Sequence, residues 1–161
     1  MTFLRSSFTL VAWLLLSYLA AFIGSVASIN AAEFYAELIQ PAWAPPARVF
    51  GPVWSVLYTF MGISAWLVWQ KTGFRRAPVA ISLFLLQLAI NSLWSWLFFH
   101  WQLGPISFFT LCILWPLILA TILAFWKHRP LAALLLIPYI LWVTLATALT
   151  YTLWQNNPGV L

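Results

Sequence analysis

Aromatic side chains at helical spacing are the residues of this chain best suited to hold a ligand. Three stretches each place such side chains on one helix face: Phe50, Trp54 and Tyr58; Asn91, Trp94, Ser95 and Phe98; and Tyr139, Trp142 and Ala146. Residues three or four positions apart are neighbours on a helix surface. Three aromatic faces with one amide and one small residue predict a pocket for a flat, largely apolar molecule. Plain packing between helices gives the same pattern, so both interpretations stay open.

The composition is that of an integral membrane protein. Of the 161 residues, 65% are hydrophobic and 6% are charged, whereas charged residues make up about a quarter of a soluble domain. The single cysteine, Cys112, excludes a disulfide framework within the chain. The basic residues are scattered rather than clustered in a stripe, so no nucleic-acid partner is expected.

Five apolar stretches are predicted to cross the membrane, at about 8–27, 48–70, 79–101, 105–126 and 132–154. They are too long and too uniformly apolar for barrel strands, and a helix satisfies its own backbone in lipid. The fold class is therefore an all-α membrane protein, a bundle of five transmembrane helices forming one domain over 1–161. Pro116 and Pro138 lie inside the last two stretches and are expected to bend them.

The basic residues predict the orientation of the bundle. One side holds six of them: Arg5, Lys71, Arg75, Arg76, Lys127 and Arg129. The other side holds Arg48 and both acidic residues, Glu33 and Glu37. The positive-inside bias places the N-terminus in the cytoplasm and the C-terminus outside, as expected in a bacterial inner membrane.

The first stretch has two further interpretations. Arg5 ahead of it and the small residues at 25–28 behind it are also compatible with a cleavable signal peptide. Ala20, Gly24 and Ser28 are spaced for close helix contact, which is typical of a membrane scaffold. Both alternatives stay open.

Of the 12 tryptophans, Trp43 lies in the 28–47 connection and the other eleven fall into two groups by depth. Those near the ends of the stretches are expected in the aromatic belt at the headgroups: Trp13, Trp66, Trp69, Trp101, Trp126 and Trp154. Five lie deeper by about a helical turn or more: Trp54, Trp94, Trp96, Trp115 and Trp142. Deep tryptophans need packing partners or a ligand. Asn91 needs a hydrogen bond in hydrocarbon, from another helix or from a ligand.

The 28–47 connection is predicted to be a folded lid over the pocket. It contains Tyr35, Trp43 and three prolines, which restrict the backbone. Residues 31–38 are expected to be helical, with Asn30 and Glu33 at capping-box spacing.

The chain has few residues that could carry out acid–base, serine–histidine or metal chemistry. The chain has no aspartate, and no carboxylate or lysine lies within the five stretches. His100 and His128 have no Cys, Asp or Glu at metal-ligand spacing, so no metal site is expected.

Four segments carry a family resemblance in the order of the chain. They are WAPP at 43–46, FGPVWSVLY at 50–58, NSLWSWLFF at 91–99, and PYILW at 138–142 followed by Ala146 and Thr147. Together they resemble the translocator protein family, also called tryptophan-rich sensory proteins, over nearly the whole chain. The resemblance implies a five-helix bundle, often a homodimer, with a pocket beneath the first loop.

The resemblance also implies a ligand, because members of that family bind porphyrins and haem. Trp54 and Trp142 resemble the pair implicated there in light-driven breakdown of protoporphyrin. Arg48 is placed to attract a propionate or to anchor at the headgroups. Combined with the helical faces, the predicted ligand-binding set is Tyr35, Trp43, Pro45, Arg48, Phe50, Trp54, Tyr58, Asn91, Trp94, Phe98, Tyr139, Trp142 and Ala146.

Two positions depart from the family pattern. Thr150 stands where the family commonly has asparagine, which puts any role of that amide in doubt. The proposed cholesterol motif needs a basic residue after the tyrosine, and none follows Tyr151. Cholesterol is therefore not an expected partner.

The expected function is that of a membrane receptor, sensor or carrier for a porphyrin or haem, in contact with lipid and without an obligatory cofactor. One alternative is a photo-oxidative enzyme that degrades porphyrin with electrons from Trp54 and Trp142. The other alternative is a scaffold without a ligand.

Overall fold

The chain forms a bundle of five membrane-spanning helical segments. The computed structural model describes residues 3–161, with side chains from Ser6 onward. Its α-helices are α1 (Phe3–Ala27), α2 (Ala31–Glu37), α3 (Phe50–Arg76), α4 (Pro78–Ser95), α5 (Gly104–His128), α6 (Pro130–Leu135) and α7 (Ile137–Asn156). A 3₁₀ turn at Ala47–Val49 leads into α3, and a π-helical turn at Trp96–His100 ends α4. The predicted all-α fold is confirmed by five segments long and apolar enough to cross a membrane.

The helices close into a ring. Helix α1 packs against α3 and α4, α5 packs against α4 and α7, and α6 lies between α3 and α5. Short connections make consecutive spanning segments antiparallel, as is usual in bundles. The core is a continuous apolar cluster that includes Met61, Phe84, Phe125 and Tyr139, none of which is exposed.

Helices α1 and α3 make their closest approach at Gly62. A β-carbon at this position would lie 2.9 Å from Leu14 Cδ2 and 3.2 Å from the Trp13 carbonyl oxygen. Association in lipid depends on such van der Waals contact, since lipid chains are as apolar as the helices themselves. Trp13, which we expected in the belt, is buried here and contacts Trp69 and Phe84 at ring centroid distances of 5.5 and 5.8 Å.

The two internal prolines act differently. Pro138 lies in the first turn of α7, just after the break at Leu136 that separates α6 from α7. Helix α5 continues through Pro116 without interruption. A proline in the first turn lacks only an amide that has no partner there anyway.

The outer loop confirms the predicted short helix but not its capping box. Asn30 precedes α2, yet its side chain makes no capping hydrogen bond. Backbone bonds start this helix instead, with the Phe34 amide donating to the Asn30 carbonyl at 3.0 Å.

The basic residues at 71–76 and 127–129 lie at the ends of α3 and α5. The Lys71 ammonium donates to the His128 carbonyl at 2.7 Å and so joins the two loops. Arg5 lies among the residues whose side chains are not described.

We predict that Gly62→Leu lowers the free energy of unfolding by roughly 1–3 kcal/mol, because the added atoms collide with the α1 backbone. Gly51→Ala is the matched control in the same helix, since a β-carbon there meets nothing within 4 Å. Alanine should raise stability slightly through helix propensity. Thermal unfolding in detergent measures both variants, and equal midpoints would contradict the proposed close approach.

Candidate ligand-binding cavity

A cavity of about 430 Å³ lies in the half of the bundle nearer α2, three residues of which line it: Ala31, Ala32 and Tyr35. Its walls come from the spanning segments α1, α3, α4 and α7 and from the π-helical turn. This volume falls in the range of about 300–1,000 Å³ that small-molecule sites usually have.

Two aromatic pairs line the cavity. On α3, the rings of Trp54 and Tyr58 are 5.6 Å apart at a tilt of 34°. At the end of α4, Trp94 and Phe98 stack with centroids 5.5 Å apart and an interplanar angle of 13°. A cavity lined by aromatic rings favours an apolar, aromatic guest.

Two polar groups reach the aromatic walls. The Asn91 side-chain amide donates to the Tyr58 hydroxyl at 2.8 Å, so the amide is satisfied between α4 and α3. The buried Trp94 indole nitrogen has no hydrogen-bond partner among the described residues. An unpaired donor in hydrocarbon carries a free-energy penalty unless an acceptor arrives.

The structure brings together seven of the predicted site residues as cavity walls: Tyr35, Phe50, Trp54, Tyr58, Trp94, Phe98 and Ala146. Their role in binding stays a prediction. The other six do not line the cavity.

Three of those six lie directly behind the walls. Asn91 supports Tyr58, as described above. Tyr139 is fully buried, contacts the Trp54 ring at 6.2 Å and donates to Gln87 Oε1 at 2.8 Å. Trp142 packs against Phe50 at 5.8 Å, so the Phe50 ring takes the inner position that the helical spacing had suggested for Trp142.

The other three belong to the lid. The Pro45 carbonyl accepts a hydrogen bond from the Tyr35 hydroxyl at 3.0 Å, which folds the lid upon itself. Arg48 is exposed on the 3₁₀ turn beside Ala47, a cavity residue. Trp43 is 49% exposed and does not line the cavity.

Two neighbouring asparagine side chains fasten the lid to the end of α7, and the longer bond comes from Asn156 Nδ2, which donates to the Ile39 carbonyl at 3.4 Å. The Ile39 amide donates to Asn157 Oδ1 at 2.8 Å, and Asn157 Nδ2 donates to the carbonyls of Ile39 at 3.3 Å and Leu153 at 2.8 Å. An amide side chain thus pairs with the lid backbone as a neighbouring strand would.

Comparison with known proteins identifies the family. A model of the TspO/MBR family matches residues 10–155. The human translocator protein is 38% identical over 129 residues, covering 79% of this chain and 76% of that protein. The tryptophan-rich protein TspO of Chlorobaculum tepidum is 38% identical over 130 residues, covering 80% and 82%. This chain belongs to the TspO/MBR family. The tryptophan-rich sensory protein of Cereibacter sphaeroides is likewise similar, at 33% identity over 148 residues covering 89% and 91%.

In this TspO/MBR chain, α1 supplies a wall that the sequence analysis did not assign to the site. Tyr18, Ala21, Gly24, Ser25 and Ser28 all border the cavity. The small residues were interpreted as a contact surface for another helix. They do allow close approach, since a β-carbon on Gly24 would lie 3.0 Å from Ser95 Oγ on α4.

The far end of α7 contributes a second unassigned set: Leu149, Thr150 and Leu153. Thr150, which departs from the family pattern, is buried against the cavity. Within the described residues, no three His, Cys, Asp or Glu side chains come together as a metal site.

We predict a coupling of roughly 1 kcal/mol between Tyr58 and Asn91, the usual scale of a hydrogen bond between membrane helices. Tyr58→Phe leaves the Asn91 amide without this partner, and Asn91→Leu leaves the buried Tyr58 hydroxyl without it. Unfolding free energies of the two single variants and the double variant give the coupling. Strictly additive losses would contradict the bond.

Proposed function

We propose that this TspO/MBR protein binds a tetrapyrrole, a porphyrin or haem, and acts as its membrane receptor, sensor or carrier. The observation that carries the proposal is the two aromatic pairs, Trp54 with Tyr58 and Trp94 with Phe98, that line a cavity of about 430 Å³. A flat macrocycle buries its faces between such rings by stacking and by the hydrophobic effect.

One polar group of the site suits the edge of such a ligand, since a porphyrin carries carboxylate acceptors on its propionates. Arg48 lies exposed beside the cavity residue Ala47, where its guanidinium can pair with a carboxylate near the headgroups.

The expected setting is a bacterial inner membrane with the N-terminus in the cytoplasm. The clustered basic ends of α3 and α5 support this orientation, with Glu33, Glu37 and the lid on the outer side. A homodimer is part of the same proposal.

A photo-oxidative enzyme is the second candidate function. It is favoured by the contacts of Trp54 with Tyr58 and Tyr139, which give a cavity tryptophan two oxidisable neighbours. In this alternative Trp54 donates an electron to a photoexcited porphyrin, and dissolved oxygen is the final oxidant. Trp142 lies behind Phe50 and is a less direct donor.

We predict that protoporphyrin quenches the tryptophan fluorescence of this protein saturably at micromolar pigment. Ala146→Phe should abolish saturation, because the ring fills the cavity next to Leu149 and Thr150. Ala148→Phe is the matched control, two positions along α7 and exposed outside the cavity. Absence of quenching in the parent protein would favour the scaffold alternative.

Illumination separates the receptor from the enzyme. If the enzyme alternative holds, light bleaches porphyrin absorption only with both protein and oxygen present, and Trp54→Phe slows bleaching more than Trp142→Phe does. Pigment that survives illumination while quenching remains saturable leaves a binding protein without this activity.

A further inference from the structure

The cavity is closed on one side and open on the other. Its α4 and α7 walls are made of buried side chains, including Trp94, Phe98 and Leu153. Its exposed lining residues belong mainly to the outer end of α1 and the start of α3, where Ser25, Gly51 and Ser55 all reach the surface of the bundle. The opening therefore lies between α1 and α3, and the exposed lining residues Ile29 and Ala32 extend it to the edge of the lid.

The lower edge of this opening is fixed by a tyrosine. The Tyr18 hydroxyl lies 3.2 Å from the Ser55 carbonyl and 2.8 Å from Thr59 Oγ1, which ties α1 to α3. At a rise of about 1.5 Å per residue, the opening extends from roughly 3 to 13 Å below the end of α1. That range covers the boundary between headgroups and acyl chains.

The serine side chains at the opening are small, and their hydroxyls need no hydrogen bond from a passing ligand. Ser25 Oγ donates to the Phe22 carbonyl at 2.8 Å, and Ser55 Oγ donates to the Gly51 carbonyl at 2.9 Å. Because these hydroxyls bond within their own helices, an apolar molecule can pass without leaving a donor unsatisfied.

The lid is attached on the opposite side of the cavity. Asn157 holds Ile39 through both its amide and its carbonyl, and the Asn157 side chain is itself buried. Releasing the lid requires these bonds to break together, whereas passage between α1 and α3 breaks none of them.

We propose that the ligand enters and leaves the cavity from the bilayer, through the opening between α1 and α3, while the lid stays fastened to α7 by Asn157. This inference rests on the proposed binding function. It assigns the protein ligands that are already dissolved in the membrane, supplied by a membrane-bound reaction or another lipid-phase source. On this route Arg48 and the lid contact a ligand that has already entered the cavity, and they take no part in its entry.

The test follows the kinetics of protoporphyrin exchange. The parent protein in liposomes is mixed with protoporphyrin-loaded vesicles, and tryptophan quenching gives the association and dissociation rates. Ser55→Phe and, independently, Ser25→Phe narrow the opening and are expected to slow both rates about tenfold. Ala148→Phe, in the groove between α7 and α5 and away from the opening, should leave both rates unchanged.

Asn157→Ala, with Asn157→Asp as the milder variant, loosens the lid. Hydrogen exchange at the Ile39 amide should become faster, which verifies the release without any ligand, while both porphyrin rates stay close to those of the parent. Faster porphyrin exchange in these variants, or rates unaffected by both phenylalanine substitutions, would overturn the lateral route. If the parent protein does not bind protoporphyrin in the equilibrium titration, that result contradicts the proposed binding function rather than the entry route.

Discussion

The structure depends on one constraint, that lipid offers no hydrogen bonds to a polar group. Hydroxyl groups in the spanning helices meet this constraint by donating to nearby carbonyls, as Thr121 and Thr147 do within α5 and α7. Others join helices, as Ser64 does when it donates to the Ala132 carbonyl at 2.6 Å. Polar side chains therefore fix which helices are neighbours.

The same constraint draws attention to buried polar atoms that have no hydrogen-bond partner. Among the described residues, three buried side-chain atoms have no partner: Ser17 Oγ, Gln87 Nε2 and Trp94 Nε1. The Trp94 atom belongs to a residue that borders the cavity. The nitrogen itself is enclosed by protein, as is Gln87 Nε2, whose side chain is engaged through its oxygen with Tyr139.

Helical spacing predicted which residues share a helix face, but it did not predict which of them line the cavity. It grouped Phe50, Trp54 and Tyr58 on one face, and all three line the cavity. It also placed Trp142 there, because periodicity gives the direction of a side chain and not what a neighbouring helix inserts in front of it. Here Phe50 occupies that inner position.

Two other parts of the site had no sequence pattern from which to predict them. The α1 wall consists of small residues, and small residues fit a close helix crossing and a ligand surface equally well. The hydrogen bond between Ile39 and Asn157 joins residues 118 positions apart, so no local sequence pattern predicts it. The five spans, by contrast, followed from composition alone, because bilayer thickness sets their length.

The lid and the helices below it are held by different kinds of contact. Within the lid, the Tyr35 hydroxyl donates to the Pro45 carbonyl, and the Tyr35 ring packs on Phe50 at 5.4 Å at the top of the cavity. Burial raises the pKa of the Tyr35 phenol above its usual value, so the hydroxyl keeps its proton and remains a donor at any physiological pH. The acidic groups of the lid, Glu33 and Glu37, are exposed and take no part in this bond. Because its internal bond does not titrate in that range, changes of pH within it leave the bond between Tyr35 and Pro45 intact.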